Sequence, residues 1–455
     1  NWSLVLCDQT RLTFRKLPQL YSNMMQPSTR RPIWKHKLVL RAAMFTGACL
    51  TTLLPIFSSS VLAAFKDSPK AIVDEAWQIV NREYVDGTFN RLNWQKTRME
   101  LLKRNYSNRQ EAYIAIRSTL KKLGDPYTRF LDPSQFQSLN NQTSGEMSGV
   151  GIRMEANPLT RQLVVAEALE NSPAAKAGIK TGDVVIAIDG KSTENMTLEN
   201  AITLIRGEIG KSITLKVSRA AMKPFDIALT RAQIEVSSVF STAKQEGKLK
   251  VGYIRLAEFS SHSSTQMEKA IKDLNRQQVN AYVLDMRGNP GGLLQSSVEI
   301  ARMWMDNGTI VKTIDRKGGN EDFRAVQGAL TQLPMAVLVD GNSASASEIV
   351  AGALKDNRRA QVVGSQTFGK ALVQSVHSLS DGSGMAVTVA HYYTPNGTDI
   401  GHKGVTPDVK VDLGWLEQKN LANSPDLLGS AQDAQYRQAV AILQNRPNNT
   451  ATKPQ

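Results

Sequence analysis

Four short apolar runs in the second half of the chain restrict the fold more than any other feature. These runs are separated by stretches whose apolar residues have helical spacing, such as STQMEKAIKDLNRQ and LLQSSVEIARMWM. Buried strands that alternate with helices are typical of an α/β domain on a mostly parallel sheet. The runs are VGYIRLAEF (251–259), AYVLDMRG (281–288), MAVLVDG (335–341) and AQVVGS (360–365). We therefore predict an α/β core over residues 234–419.

The third run leads into NSASASEIVAGALKDN, where three serines precede a predicted helix. A serine at a strand-to-helix turn lies near unpaired backbone N–H groups and the positive end of the helix dipole, which suits a nucleophile beside an oxyanion site. The same position, with Glu348 nearby, also suits an ordinary N-cap serine. Taken alone the stretch favours the cap, and both interpretations stay open for Ser343, Ser345 and Ser347.

A serine nucleophile needs a base, and this stretch contains no histidine. His377 and His391 lie in alternating strand-like runs, where a histidine usually packs or faces solvent. Lys370 follows the apolar approach VVGSQTFG, and a buried lysine can act as a base because burial lowers its pKa. Gln374 would lie on the same face as Lys370 and could orient its amine. An ideal strand separates their Cα atoms by about 13 Å, so contact requires a bend near Gly369.

A second glycine site, DMRGNPGGLL at residues 285–294, lies between a predicted buried strand and a helix. The backbone N–H groups of Gly291 and Gly292 could hold an oxyanion there. A phosphate-binding loop is the competing interpretation. We disfavour it because neither GxxxxGK[ST] nor GxGxxG occurs.

In the rest of the chain, the pattern of apolar and polar residues differs from one region to the next. Residues 64–136 space apolar residues by three and four, as in AIVDEAWQIVNREYV, and predict an N-terminal helical region. Residues 137–233 change to short alternating strands and glycine turns, which predicts a small, partly open β-barrel. Residues 420–455 predict one helix, DAQYRQAVAILQ, and then a disordered tail. The predicted fold class is multidomain α+β.

Residues 1–63 have the pattern of an upstream leader and an export signal. A basic segment precedes the apolar run AAMFTGACLTTLLPIF, and small residues follow up to Ala63. The run is short for a bilayer-spanning helix, so we expect cleavage near Ala63 and no stable membrane span in the mature form. An uncleaved anchor is the alternative, and TRRPIWK has the look of a twin-arginine signal. Cys7 and Cys49 both lie in this segment, which excludes disulfides and thiolate catalysis from the mature protein.

The net charge of +14 does not indicate a nucleic-acid partner. Residues 1–63 hold eight lysines and arginines against one acid, so the remainder has a net charge of only +7. That remainder shows no basic stripe interleaved with aromatic residues. We therefore expect no nucleic-acid binding.

Six motifs stand in a distinctive order: LGDPYTRFL, SGVGI, DMRGNPGGLL, NSASASEIVAGALKDN, TFGKALVQS and GVTPDV. This order resembles that of the carboxyl-terminal processing peptidases, the S41 serine proteases with an inserted PDZ domain. The resemblance extends from about Ser68 to Leu416. VNREYVDGTFN further resembles the cyanobacterial and chloroplast branch, whose best-known task is to trim a photosystem II reaction-centre precursor, D1. The resemblance thus implies a location in the thylakoid lumen or periplasm.

The resemblance also implies a mechanism. By position, Ser345 is similar to the family nucleophile, Lys370 to its general base and Gln374 to the residue that orients the lysine. The family's oxyanion donors correspond to the backbone N–H groups of Gly291 and Ala346. A Ser/Lys peptidase of this kind forms an acyl-enzyme and needs no metal or cofactor.

Substrate binding is implied by two further motifs. The SGVGI loop resembles the PDZ loop whose amides receive a terminal carboxylate while an extended chain pairs with the neighbouring strand. Its residues are Ser148, Gly149, Val150, Gly151 and Ile152. Arg206 in LIRGEIG is similar to an arginine that couples the PDZ domain to the active site in some members. The expected partners are proteins or peptides with an apolar free C-terminus.

Two other functions compete with the peptidase. An exported PDZ binding or adaptor protein on an inactive protease frame predicts loss of Ser345 or Lys370, and both are present. A histidine-based esterase predicts that activity depends on His377 or His391 and not on Lys370.

Overall fold

The computed structural model describes residues 68–220 and 222–445. The predicted export signal and the predicted disordered tail beyond Asn445 lie outside the described residues. Within those two ranges, no helix combines the length and apolarity needed to cross a bilayer. The described chain comprises an N-terminal helical region, a β-rich unit and an α/β core with a second, antiparallel sheet.

Three capped helices form the N-terminal region, as the apolar spacing predicts: α1 (Pro69–Glu83), α2 (Trp94–Lys103) and α3 (Arg109–Lys121). The side chains of Ser68, Asn93 and Asn108 each accept a hydrogen bond from a first-turn N–H of the helix that follows. These bonds satisfy donors that a helix start leaves unpaired.

The helical region packs against the antiparallel sheet of the core. Its strand order is β1–β18–β13–β14, and β17 also pairs with β18. The strands are β1 (Arg129–Leu131), β13 (Thr309–Asp315), β14 (Asn320–Arg324), β17 (Leu372–Ser378) and β18 (Gly384–Tyr393). Ile72 and Val80 of α1 are buried in one cluster with Met385 and Val387 of β18. The N-terminal helices therefore complete the hydrophobic core beneath this sheet.

The predicted boundary between residues 136 and 137 falls inside a helix, α4 (Pro133–Ser144). The stretch DPSQF resembles a turn in the sequence because aspartate and proline are common in turns. Here they begin a helix, with Asp132 and Gln135 in a capping box. The Asp132 side chain accepts from the Gln135 N–H, and the Gln135 side chain accepts from the Asp132 N–H. Pro133 occupies the first helical position, where a missing N–H removes no helical bond.

The β-rich unit is an antiparallel sheet of order β3–β4–β5–β7–β8, with β6 on β5. Its elements are β2 (Glu146–Gly149), β3 (Ile152–Ala156), β4 (Leu163–Ala168), α5 (Pro173–Lys176), β5 (Val184–Ile188), β6 (Lys191–Ser192), α6 (Leu198–Ile205), β7 (Ser212–Ser218), β8 (Phe225–Thr230) and β9 (Ala232–Glu235). Strand β2 pairs with β9 in a separate two-stranded sheet that connects this unit to the core. The predicted boundary at residues 233 and 234 falls inside β9, because that strand belongs to the connection.

The α/β core has the predicted mostly parallel sheet, in the order β10–β11–β12–β15–β16–β19, with β10 antiparallel at one edge. Its elements are β10 (Val239–Glu246), β11 (Leu249–Leu256), α7 (Ser263–Arg276), β12 (Ala281–Asp285), α8 (Leu294–Arg302), β15 (Met335–Val339), α9 (Ala346–Asp356), β16 (Gln361–Gly364) and β19 (Val409–Lys410). Tyr282 and Leu284 of β12 join the cluster formed with α7, α8 and α9, whereas Ala281 and Val283 join a second cluster. Both sheet faces are covered, which explains why the strands are apolar throughout.

The C-terminal segment covers the second face. It consists of α10 (Trp415–Asn423), a 3-10 turn (Pro425–Leu427) and α11 (Ala434–Gln444), and the predicted boundary at residues 419 and 420 falls inside α10. Asp433, the cap of α11, binds the buried Arg287 at 2.6 Å, and Arg287 also binds Asp285 at 2.5 Å. Burial raises the pKa of Asp285, but Arg287 more than offsets this and lowers it. A buried ionic network therefore joins the last helix to the start of the DMRGNPGG loop.

Candidate active site

Ser345 lies between β15 and α9 in a backbone conformation that serine rarely adopts, with φ 52° and ψ −113°. Strain of this kind costs about 1–3 kcal/mol and persists only where the surroundings enforce it. Ser345 occupies the N-cap position, but its hydroxyl makes no cap hydrogen bond. Its backbone N–H donates instead to Glu348 Oε2 at 2.8 Å. Ser345 can therefore stand at the N-cap position and still have its hydroxyl available as a nucleophile.

The two flanking serines fasten this turn to the glycine loop that follows β12. Ser343 Oγ donates to the Met286 carbonyl at 2.9 Å, and Ser347 Oγ donates to the Asn289 carbonyl at 2.8 Å. Ser345 makes neither kind of bond. Among the three serines, the middle one is thus distinguished by its strained backbone and by its uncommitted hydroxyl.

Glu348 joins the serine turn to the segment that carries Lys370. Its carboxylate is fully buried and accepts the N–H of Ser345 at 2.8 Å, of Gly369 at 2.6 Å and of Lys370 at 2.9 Å, together with the Thr367 hydroxyl at 2.6 Å. Burial raises the pKa of Glu348, and these hydrogen bonds oppose the rise. The backbone amides of Ser345 and Lys370 converge on the same carboxylate oxygen, Oε2.

Lys370 is buried, with 2% of its surface exposed. It follows Gly369, whose φ is 89° and whose position would bring an added Cβ within 2.9 Å of the backbone nitrogen of Gly404. Only glycine fits such a turn without strain. The Nζ of Lys370 lies 4.7 Å from the ring centroid of Tyr127. An aromatic ring from the GDPYT stretch thus covers the amine.

Gln374 lies in β17 and is almost fully buried. The chain turns at Gly369, where the φ is 89°, and the strand has a further register shift between Val373 and Gln374. Thr388 Oγ1 lies 3.5 Å from Gln374 Nε2 and donates to Asp125 at 2.7 Å. Asp125, also from the GDPYT stretch, therefore holds the Thr388 side chain that lies beside Gln374.

The glycine loop adjoins the serine turn closely. A Cβ added to Gly291, whose φ is 99°, would lie 2.9 Å from the Ala346 nitrogen and 2.9 Å from the Ser345 Cβ. Gly291 and Ala346 are therefore neighbours in space, as an oxyanion pair requires. In this conformation the Gly291 N–H donates to Asn289 Oδ1 at 2.9 Å. An oxyanion role for Gly291 requires that bond to be exchanged.

The SGVGI stretch is only partly a loop. Ser148 and Gly149 belong to β2, paired with β9, because a strand connects the two units at this point. Val150 is buried in the core of the β-rich unit, and Gly151 turns the chain with a φ of 80°. Ile152 begins β3, the edge strand of the sheet, and α6 packs against β3. The stretch thus lies at the end of a strand edge beside a helix.

The remaining predicted residues lie apart from this cluster. Arg206 is exposed at the C-cap of α6, and its backbone N–H donates to the Ile202 carbonyl. His377 Nε2 contacts Ser375 Oγ at 2.7 Å and Glu83 Oε2 at 2.6 Å. One nitrogen meets both groups, whereas a serine–histidine–acid relay uses the two different ring nitrogens. This arrangement does not support His377 as the base of the esterase alternative.

Known proteins similar to this chain agree with the fold. The model of peptidase family S41 matches residues 250–411, and that of a PDZ domain matches residues 164–219. A carboxyl-terminal-processing protease of Picosynechococcus sp. is 43% identical, over 89% of this chain and 97% of the relative. The chloroplastic carboxyl-terminal-processing peptidase 2 of Arabidopsis thaliana is 40% identical, over 77% of this chain and 72% of the relative.

A solved structure named photosystem II D1 C-terminal processing protease is 37% identical, over 76% of this chain and 93% of that chain, with a TM-score of 0.48. The two family models and the curated relatives define the class of protein: a serine peptidase that carries a PDZ domain. Within this class, the chain belongs to peptidase family S41, with the carboxyl-terminal-processing peptidases of cyanobacteria and chloroplasts. Proteins are thus its substrates, and the predicted fold class and family are confirmed.

Sequence reasoning missed three residues of the cluster: Asp125, Tyr127 and Glu348. The first two lie in LGDPYTRFL, which carries the family resemblance but reads as an ordinary turn. In the sequence, Glu348 stands only as a neighbour of a predicted helix cap. A carboxylate three residues after a cap serine is a common cap signal, so its contacts with residues 367–370 leave no separate mark in the sequence.

Proposed function

We propose that the protein is a C-terminal processing endopeptidase in which Ser345 is the nucleophile and Lys370 the general base. One observation carries the proposal: a single Glu348 oxygen accepts the backbone amides of both residues, at 2.8 and 2.9 Å. That bond pair brings the serine turn and the lysine segment together although 25 positions separate them. The strained backbone of Ser345 supports the same assignment, since strain concentrates at functional positions.

Burial supports a neutral Lys370. A low-dielectric surrounding disfavours the ammonium form, and a base must have its lone pair available. The ring of Tyr127 excludes water from the Nζ side that it covers. Gln374 offers an amide that orients an amine without adding charge. A carboxylate in its place would favour the protonated amine and so oppose proton acceptance.

The reaction follows from these roles. The Ser345 Oγ attacks the scissile carbonyl while its proton passes to the Lys370 amine. The N–H groups of Gly291 and Ala346 stabilise the tetrahedral oxyanion, once substrate displaces the bond between Gly291 and Asn289. Lys370 then returns the proton to the leaving amine as the C–N bond breaks. Water hydrolyses the resulting ester, with Lys370 again accepting and returning a proton.

Substrate recognition begins at the free edge of β3. Within the described residues β3 pairs only with β4, so an extended peptide can add a strand on the open side, next to α6. The amides of the Val150–Ile152 turn lie at the end of that edge and would receive the terminal carboxylate. An apolar last residue would suit this end of the unit, because Val150 of the turn and Ile205 of α6 both belong to its apolar cluster.

The physiological substrate that we propose is the photosystem II D1 precursor, and the proposed location is an exported compartment, the thylakoid lumen or periplasm. The names of the 37% identical D1 processing protease and of the cyanobacterial and chloroplast relatives support this choice. The export pattern of residues 1–63 agrees with it.

Cleavage of a peptide with an apolar free C-terminus tests the mechanism. We expect wild type and the surface control Lys317→Ala to cleave it, and Ser345→Ala and Lys370→Ala to lose at least about a thousandfold in kcat. The same peptide with an amidated C-terminus should show a raised KM, because the PDZ turn loses its carboxylate. Cleavage by Lys370→Ala at the wild-type rate would refute the dyad. Tight binding without cleavage by wild type would favour the adaptor.

A further inference from the structure

The hydroxyl of Tyr392 lies between the main chains of the two proposed catalytic residues. It donates to the Lys370 carbonyl and lies 3.1 Å from the Ser345 carbonyl. Tyr392 is 2% exposed and stands near the end of β18, where its N–H donates to the Ala371 carbonyl at 3.0 Å. The side chain therefore reaches the serine turn from the antiparallel sheet, a different layer from the one that carries Ser345.

Tyr392 complements Glu348. The Glu348 carboxylate accepts the N–H groups of Ser345 and Lys370, whereas the Tyr392 hydroxyl faces the carbonyl groups of the same two residues. Each catalytic residue is thus held on both of its backbone polar groups. Since the Ser345 backbone is strained, such contacts are needed to keep it in place.

The chemistry of this contact requires a neutral phenol. Both carbonyl oxygens are acceptors, so the hydroxyl must keep its single proton and share it between them. Burial, with the nearby Glu348 carboxylate, raises the pKa of Tyr392 well above its ordinary value, which keeps the proton in place. A phenylalanine would fill the same volume but would present no donor to either carbonyl.

We propose that Tyr392 is a positioning residue that sets the separation of the Ser345 nucleophile and the Lys370 base. The inference rests on the proposed function, since it needs both of these roles. The Tyr392 hydroxyl bonds the main chain of Ser345 and Lys370 rather than their side chains, so its effect should appear in kcat rather than in substrate binding. Small displacements of reacting groups have large effects, because about 1 Å of misplacement can cost a hundredfold in rate.

The test compares Tyr392→Phe with a matched control, Tyr282→Phe. Tyr282 is equally buried in the same core, and its hydroxyl donates to Asn275 Oδ1 at 2.7 Å, but it contacts none of the catalytic residues. Both variants lose one buried hydroxyl and should lose similar thermal stability. We expect kcat to fall about tenfold or more in Tyr392→Phe alone, with KM within about twofold of wild type. Kinetics are measured at a temperature where circular dichroism shows every variant folded.

Ser345→Ala is included to separate the two claims. Wild-type kcat in Tyr392→Phe, beside an inactive Ser345→Ala, would overturn the positioning role and leave the dyad intact. An equal loss of kcat in both tyrosine variants would also overturn it, because lost stability would then explain the effect. Cleavage by Ser345→Ala would overturn the proposed nucleophile and the positioning role together.

Discussion

Replacing Glu348 with glutamine should weaken both the fold and the catalysis. In the wild-type protein the two carboxylate oxygens accept four hydrogen bonds. Oε1 accepts from Thr367 and Gly369, and Oε2 accepts from Ser345 and Lys370. Glutamine keeps one oxygen and replaces the other with an NH2 group. The Thr367 hydroxyl can turn to accept from that group, so the amide should orient its NH2 toward Thr367 and Gly369.

This orientation leaves the buried N–H of Gly369 facing another donor. An unsatisfied buried donor costs about 1–3 kcal/mol, and the remaining bonds lose the strength that a charged acceptor gives. We therefore expect the free energy of unfolding to fall by roughly 2–4 kcal/mol. We also expect at least a tenfold loss of kcat, because Gly369 fixes the turn before Lys370.

Urea unfolding and steady-state kinetics of Glu348→Gln measure both effects. Glu268→Gln on the exposed face of α7 serves as the control, since its Lys272 pair is at the surface and should change the stability by less than about 0.5 kcal/mol. The reasoning would be refuted by a Glu348→Gln protein with the stability of the control and wild-type kcat.

Three further predictions concern other parts of the structure. Gly291→Ala should abolish peptide cleavage, because its Cβ would lie 2.7 Å from a backbone oxygen. Gly288→Ala, which shares the strain of a positive φ (68°) but has open space around it, should remain active, and equal activity of the two would contradict this. Burial raises the pKa of Glu83, but hydrogen bonds from His377 and an arginine more than offset it and bring it to about 2. The stability that Glu83 contributes is thus present above its unfolded pKa near 4.5 and is lost as the pH falls toward 2. Urea unfolding should accordingly show a deficit in Glu83→Gln at about pH 5 that shrinks as the pH falls below that value; a deficit unchanged at pH 3 would count against the assignment. Asp433→Asn should destabilise the protein by about 3–5 kcal/mol by leaving the buried charge of Arg287 poorly paired, and a urea-unfolding change under about 1 kcal/mol would show that the network matters little.

The sequence predicts the layers of the core well because continuous apolar runs mark its strands and apolar residues spaced by three and four mark its helices. The four apolar runs are strands β11, β12, β15 and β16 of one mostly parallel sheet. They are apolar throughout because the sheet is covered on both faces. The ends of the units are less readable. Helix α4 is hard to recognise because it begins with a capping aspartate and a proline, which are also typical of turns. Strand β9 is hard to recognise because it has four residues and its partner, β2, lies about 90 positions earlier.

The residues proposed for the candidate site stand in sequence motifs, whereas the contacts that hold them do not. Ser345, Lys370 and Gly291 stand in recognisable motifs, so their proximity follows once the family is seen. The Asn289 acceptor for Gly291, the Glu348 contacts and the position of Tyr392 depend on tertiary geometry. A tyrosine 47 positions beyond the serine carries no local signal, because its strand reads like any buried strand.

Mass spectrometry of a rapidly quenched reaction tests the central claim most directly. Wild-type enzyme mixed with a peptide substrate and stopped in acid should contain an ester between the substrate's new C-terminal residue and the proteolytic fragment that carries Ser345. Lys370→Ala should show at most a trace of that adduct at the same reaction time. An adduct on another residue, or equal adduct in the Lys370→Ala protein, would contradict the account.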